Sequence, residues 1–482
     1  MSLSGALSNA MSGLTANARA TIVVSSNIAN ALNETYGRRE VVVATDGTSS
    51  WGGVRIASID RHSDPVLSHQ ARNAMASASA ASIHAGFATK AEALIGSVDT
   101  PSSIAARLTD FEAALLSASS DPSSGTRLRT VGQKADALAS SFRSASAGIQ
   151  NLREQAEREI EAAVSDINAS LLRLEELNDH IVGARHLGLD TLNQQDERDA
   201  VLDKLAAFFP LHVIARESGA VSIFTGQGRT LLDGKAVQLE FDRKPSVEPH
   251  MTMGNGLLSG IRIGDDWIDP GNGGMLSGGA LAAHFETRDM DAVRLQVQLD
   301  GIARDVVERF GPGGPDTTLS MGDSGVFTDA GNAFVAADEV GLAGRLELNS
   351  VLDGTSPEIW RWRHGINALT PTDAGASDLL RALSQQLTNQ ALPNSAALEP
   401  SPKSFVDHIH GLSADLASQR VWATDASAFA TDRLNGFENL QASDGVNTDE
   451  ELQRLIELEK SYAANARVIR VVDDMLSELL KM

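Results

Sequence analysis

Hydrophobic positions at the two ends of the chain recur in alternating steps of three and four. Near the C-terminus Leu455, Leu458, Tyr462, Asn465, Ile469, Val472, Leu476 and Leu479 form an unbroken seam of the coiled-coil kind. Near the N-terminus Leu3, Leu7, Ala10, Leu14, Asn17, Thr21, Val24 and Ile28 carry the same alternation. A helix with such a stripe needs a partner, because alone it leaves the stripe in water. Each seam holds one asparagine, Asn17 or Asn465, of the kind that fixes register when buried. The pattern predicts two matching end helices that pair across the length of the chain. The second is expected to open with a capping box in which Thr448 caps and Glu451 reaches back. The first is rich in Ser, Asn and Thr, so it is a poor helix former expected to order only when packed.

Between the ends the period changes several times. Val41 to Val43 and Val54 to Ile59 read as two short strands bounded by Asp46-Gly47 and Gly52-Gly53. Helix is predicted from Pro65 to about Ser97 and again from Ser102 to Ser117, ending at the loop Asp121 to Gly125. From Thr126 comes the longest helical pattern, in which Val131, Leu138, Phe142, Ile149 and Leu152 lead through a four-residue stutter to Ile160, Ile167, Leu171 and Leu174. At about 1.5 Å per residue it spans roughly 80 Å. The charged run Arg153 to Glu161 along it reads as a solvated face. A further helix from near Gln195 closes at Pro210. Residues 211–269 are strand-like, notably Val213 to Ala215, Val221 to Phe224 and Val237 to Phe241, with Gly226-Gln227-Gly228 as a hairpin turn. Helix resumes from Leu281 to Phe310 and is broken by Gly311 to Pro315. Residues 316–376 are irregular, and helices return at 377–392 and 404–434. The expected fold is mainly α with a β-rich middle, an elongated multi-domain chain whose terminal helices form a coiled-coil end domain. The expected division is 1–62 with 435–482 as the terminal polymerisation domain and 63–210 with 281–310 and 377–434 as a long-helix rod domain. Residues 211–280 make a β-rich subdomain and 311–376 a short insertion.

Composition narrows the partners. Among 482 residues the formal charge is -23, which argues against nucleic acid and anionic membrane, since both select a basic surface. Only 4% of residues are aromatic, so small side chains must do much of the packing, and the absence of cysteine excludes disulfides and thiolate metal sites. Arg19 is the one charged residue in positions 1–33, and no basic segment precedes an apolar run there. A cleavable secretory signal is therefore not expected. The conventional reading is cytoplasmic unless export reads uncleaved N-terminal sequence.

Candidate chemistry is thin. Gly322-Asp323-Ser324-Gly325 resembles a serine-protease nucleophile segment, but the expected double β-barrel with upstream His and Asp is missing from the pattern, so a polar turn is expected. His408 and His410 stand two apart on a helix and point to different faces. Asp265, Asp266 and Asp269 read as an acidic turn. The expectation is no catalytic site, no cofactor and no metal, with the terminal seams as the functional residues.

Ser26-Asn27-Ile28-Ala29-Asn30, followed by Thr35-Tyr36-Gly37 and Arg38-Arg39, resembles the N-terminal signature of bacterial flagellar rod, hook and hook-associated proteins. Gly445-Val446-Asn447-Thr448-Asp449-Glu450-Glu451 with Tyr462 to Ile469 resembles their C-terminal signature. Asn193 to Asp199, leading to Leu202 and Leu205, and Gly278-Gly279-Ala280-Leu281, leading to Arg288, are similar to segments of the hook-associated members. The chain departs from the usual Thr-Pro-Gly-aromatic turn, with Tyr36 for the proline and Arg38 for the aromatic, so that turn is expected to be altered. The large outer domain that often follows the helix ending at Phe310 is expected to be reduced. The resemblance implies an extracellular structural protein at the junction of hook and filament, without catalysis. It would be exported through the flagellar type III apparatus and polymerise through its ends, including Asn27 and Asn30. The implied partners are further copies of itself, the hook protein, a second hook-associated protein and an export chaperone on the C-terminal helix. The remaining readings are another axial protein of the flagellum or a helical scaffold of the cytoplasm.

Overall fold

Helical periodicity decides most of the chain. The computed structural model describes residues 3–33, 35–45, 52–97, 100–271 and 273–481. In chain order it has helix α1 (Leu3–Ala29), strands β1 (Arg39–Thr45) and β2 (Val54–Arg61), and helices α2 (Pro65–Ile95), α3 (Ile104–Ser120), α4 (Gly125–His186) and α5 (Leu192–Ala206). Short strands follow: β3 (Leu211–Ala215), β4 (Val221–Thr225), β5 (Thr230–Asp233), β6 (Lys235–Ala236), β7 (Leu239–Glu240), β8 (Ile261–Ile263) and β9 (Asp266–Ile268). Helices α6 (Ala280–Glu286) and α7 (Ala292–Arg309) are joined by a π-helical turn, Thr287–Asp291. Then come β10 (Phe327–Asp329), α8 (Leu342–Arg345), β11 (Leu346–Leu348), α9 (Arg361–His364), α10 (Asp378–Thr388), α11 (Phe405–Ser443) and α12 (Thr448–Lys481). The chain is mainly α with a β-rich middle. The predicted helix ending near Leu434 continues to Ser443, and the one predicted to reach Leu392 stops at Thr388, where Asn389 turns extended. The Asp46-Gly47 turn lies outside the described residues.

The chain divides into two units. The first comprises Met1–Ser77, Ile167–Val237 and Ala430–Met482. Strands β1 and β2 pair antiparallel from Arg39↔Arg61 to Thr45↔Val54, with a bulge between Val42 and Val43. Strands β3 to β6 form an antiparallel meander, and Gly226-Gln227-Gly228 is its hairpin turn, with Gly228 at φ +87° and its N–H on the Thr225 carbonyl at 2.8 Å. On α4 the stripe Ile167, Leu171, Leu174 and Ile181 is buried, as are Leu202 and Leu205 of α5 and Ile223 and Leu232 of the sheet. Asn178 of α4 exchanges two hydrogen bonds with the backbone of Val221, at 2.8 and 3.0 Å, satisfying a strand end that a longer apolar residue would leave unpaired.

The second unit comprises Ala78–Asp166 and Gln238–Phe429. Its core gathers Val131, Leu138, Phe142 and Ile149 of α4 with Phe111, Leu299, Val306, Phe310, Leu383 and Phe405. The stretch 311–376 contributes Phe327, Leu342, Leu346, Leu352 and Trp362 to the same cluster. Phe111, Phe310 and Phe327 meet edge-on or tilted with centroids 5.7 to 6.1 Å apart. Gly132 has no side chain because a Cβ there would lie 2.5 Å from the Leu352 carbonyl oxygen.

The charged run on α4 corrects the sequence reading. Arg158, Glu159 and Glu161 are exposed as expected, but Arg153 and Glu157 are buried. Glu157 pairs with Arg288, itself buried on the π-helical turn. Arg153 donates to the carbonyls of Arg288 at 2.9 Å and Glu248 at 3.0 Å, and Arg288 to that of Ser259 at 2.9 Å. Burial pushes the Arg153 pKa down to about 10. One face of the run thus caps carbonyls of the π-helical turn and of the loop around Glu248, while the other stays in water. Periodicity cannot tell these faces apart, because both are charged.

Candidate assembly interface

Helices α1 and α12 pair antiparallel. Asn17 Nδ2 donates to Ser461 Oγ at 2.8 Å, and Arg454 reaches Glu40 of β1 at 3.0 Å. Gly13 faces Asn465, where a Cβ would stand 2.8 Å from Asn465 Nδ2. The two seam asparagines therefore meet a serine and a glycine rather than each other. Helix α12 is capped by Asn447, whose side chain accepts from Asp449 N at 3.0 Å. The expected capping box is absent: Thr448 is already helical, and Glu451 is turned inward to an arginine instead of back to the cap.

The seam residues fall into three groups. Val24, Asn27 and Val472 are buried. Leu3, Leu7, Leu14, Asn17, Ile28 and Asn30 from the first end, and Leu455, Leu458, Asn465 and Ile469 from the second, are half-buried. Tyr462, Leu476 and Leu479 are exposed, together with Leu452, Ile456, Val468, Val471, Met475 and Leu480, which carry apolar surface round the other side of α12. Two helices cannot cover apolar residues that run most of the way round one of them.

The turn after α1 is fastened by polar side chains. Asn27 Oδ1 accepts from Tyr36 Oη at 2.9 Å and from Arg39 N at 3.1 Å, while its Nδ2 donates to the Arg39 carbonyl at 2.9 Å. The Arg39 guanidinium lies over the Tyr36 ring at 4.7 Å. Arg38 Nε reaches Glu451 Oε1 at 2.9 Å, and the Glu451 side chain is fully buried. The two departures from the usual turn, Tyr36 and Arg38, are thus the residues that tie it to Asn27 and to α12.

A second set of charges anchors the hairpin on α5. Asp196, Asp199 and Asp203 share one helix face at spacings of three and four. Asp196 accepts from Gly37 N at 3.1 Å and from Arg39 at 2.8 Å, and its Oδ1 lies 2.7 Å from Arg61 Nε as an ion pair. Asp199 pairs with Arg61 and, at 3.3 Å, with Arg72, and Asp203 takes Arg72 at 2.7 Å. Arg198 turns to the Gly219 carbonyl at 2.8 Å. The ties made within the chain by Arg38, Arg61, Arg72 and Glu451 were not foreseen in the sequence. The aspartate spacing was the available signal, since three carboxylates on one helix face call for cations opposite them.

Elsewhere the structure supplies turns. Asp323 accepts from Ser320 N at 2.7 Å and Asn367 Nδ2 at 2.9 Å, so Gly322 to Gly325 is a closed loop. His408 is buried and His410 exposed. Among the described residues no group of three or more His, Asp or Glu is placed to hold a metal ion.

Comparison with known proteins agrees with this architecture. Residues 88–311 match the family described as the flagellar hook-associated protein FlgK helical domain. Residues 442–482 match the C-terminal family of flagellar basal body rod FlgEFG proteins. Flagellar hook-associated protein 1 of Bacillus subtilis is 23% identical over 513 residues, covering 98% of this chain and 97% of that protein. The Escherichia coli protein of the same name is 22% identical over 560 residues, covering the whole of both chains. The flagellar hook junction protein FlgK from Burkholderia pseudomallei superposes with a TM-score of 0.55 at 13% identity, over 78% of this chain and 100% of that one, a likeness of fold. Over its whole length the chain is thus similar to hook-associated protein 1, and families of the bacterial flagellar hook-associated and rod proteins match its middle and its C-terminal end.

Proposed function

We propose that the chain forms part of the junction between hook and filament and assembles there through its paired end helices. It is a structural component of the flagellum and not an enzyme, as its relatives are hook-associated proteins. The observation that carries the assembly reading is the apolar surface that α12 keeps exposed after pairing with α1. Such a surface is tolerated when neighbours in an assembly cover it. Residues 1–62 with 435–482 act as the polymerisation module, and 311–376 stands in for a larger outer domain. Before assembly the same stripe needs shelter, which fits an export chaperone binding α12 as a helix in a groove. Export by the flagellar type III route fits an N-terminal segment carrying Arg19 as its single charge in 33 residues.

The test is Leu458→Asp in a strain lacking the wild-type gene. A carboxylate set into the half-buried seam costs about 2 kcal/mol or more, so filament attachment and swimming should be lost while the second unit melts as in the wild type. Normal motility with this variant would exclude the seam as the assembly interface.

A further inference from the structure

We propose that the free tip of the α1–α12 pair docks into a groove on a second copy of the chain, between α1, β1 and α12. This rests on the assembly reading above and adds which surfaces meet. The groove is a cavity of about 370 Å³ with Ala16 and Ala20 on its α1 side, Val43 on its β1 side and Leu458 on its α12 side. It exists because α1 carries alanines where larger side chains would fill the gap. The bulge at Val42 and Val43 also leaves Val43 half-exposed at its rim. A volume of this size suits a few aliphatic side chains.

The tip supplies them. Leu480 is 88% exposed, and Met475 and Leu479 are more than half exposed beside Leu3. Charges match as well. On the groove wall Arg454 and Glu457 stand three residues apart on α12. On the tip Glu478 and Lys481 stand three residues apart and hold each other at 3.3 Å. Seating the tip lets Glu478 join Glu40 at Arg454 and Lys481 meet Glu457, with the carboxylate and cation in complementary order.

The occupant must come from another copy. Asn17 is opposite Ser461 and Leu3 beside Leu479, so within one chain the tip lies some 20 residues along the helix pair from Ala20, roughly 30 Å away. Tip and groove are different surfaces, so the contact is head-to-tail, and it continues into a ring or a fibre according to whether its rotation closes.

The chain has no cysteine, which makes the test direct. The full-length double variant Ala20→Cys, Leu480→Cys is oxidised both as concentrated purified protein and in flagella isolated from a complemented deletion strain. A disulfide needs Cα atoms within about 7 Å, which the two positions reach only between copies. The expected result is a ladder of dimers, trimers and higher species, at least tenfold above either single variant. Glu457→Lys should suppress the ladder and Glu457→Lys with Lys481→Glu should restore it. Dimers from Leu480→Cys alone, with no ladder from the double variant, would replace the proposal by a symmetric tip-to-tip contact. Variant flagella that assemble yet give no ladder would overturn the docking while leaving the assembly reading intact. A ladder from purified protein, with the wild-type chain absent from flagella, would keep the docking and sink the junction reading. Cross-links to another flagellar protein in place of the ladder would give the groove to that partner.

Discussion

Arg38→Ala tests the buried ion pair that ties α12 to the turn after α1. Glu451 is fully buried, and its second oxygen has no hydrogen-bond partner among the described residues. Arg38 at 2.9 Å is therefore the cation compensating a desolvated carboxylate. Removing one member of a buried pair costs about 3 to 5 kcal/mol, because the other charge is left in low dielectric. Arg38 keeps 19% of its side chain in solvent, so water can partly replace it and the lower end applies. A loss of about 3 kcal/mol lowers the docked population of α12 roughly a hundredfold. Glu451→Gln should cost about 1 kcal/mol, since the arginine left behind can reach water. Replacing both, as Arg38→Met with Glu451→Leu, should recover most of the loss. The assay is a double-mutant cycle in urea, read at the amides of residues 449–458 by hydrogen exchange. A cost below about 0.5 kcal/mol for Arg38→Ala, with no coupling to Glu451→Gln, would refute the claim that this pair holds α12 to the turn.

Three further perturbations probe other contacts. Asp196→Ala leaves Gly37 N and Arg39 without an acceptor and Arg61 without one of its two carboxylates, and should cost about 2 to 3 kcal/mol in denaturant unfolding. An unchanged midpoint would reduce the aspartate face to surface decoration. Gly13→Leu should destabilise the α1–α12 pair by about 1 to 3 kcal/mol through its clash with Asn465, and Asn465→Ala should relieve it. Failure of that rescue in thermal melts would show that Gly13 matters for another reason. His84 sits between Asp291 and Glu286, whose carboxylates raise its pKa from 6.5 to about 9. Its contribution is present in full below pH 6.5 and is lost as pH rises to about 9. Discounted for a side chain one-third exposed, it is about 2 kcal/mol. The gap between the wild type and His84→Gln should shrink over that window, and a pH-independent gap would contradict the charged pairing.

What was legible in the sequence followed from period. The end seams, the stuttering pattern of α4 and the hairpin at Gly226 to Gly228 each carry a repeat that one backbone geometry satisfies. What was not legible depends on tertiary partners. Glu451 sits where a capping box asks for glutamate, and Arg38, 413 residues away in sequence, is what turns it inward. Arg153 and Glu157 look like surface charge until Arg288 is placed against them by the π-helical turn. The seam itself was read as uniform, yet coverage by α1 fades toward Leu476 and Leu479. The reason is that α1 begins there, with Leu3, Ser4 and Gly5, of which only Leu3 is large.

These features point to one division of labour in the end module. Apolar packing between α1 and α12 is thin, because Gly13, Ala16 and Ala20 contribute little side chain to bury and several apolar residues of α12 remain in water. At about 25 cal/mol per Å², residues of that size add far less than leucines in the same places. Position is instead fixed by charges at the hairpin end, where Arg38, Arg39, Arg61 and Arg72 meet Glu451 and three aspartates. Charged pairs of this kind demand specific geometry, whereas an apolar stripe accepts any apolar neighbour. A module built this way holds its turn and strand pair in register while leaving helix surface uncommitted. Under the proposed assembly, the ionic anchor would define the geometry of the module and the uncovered apolar surface of α12 would supply the drive to associate.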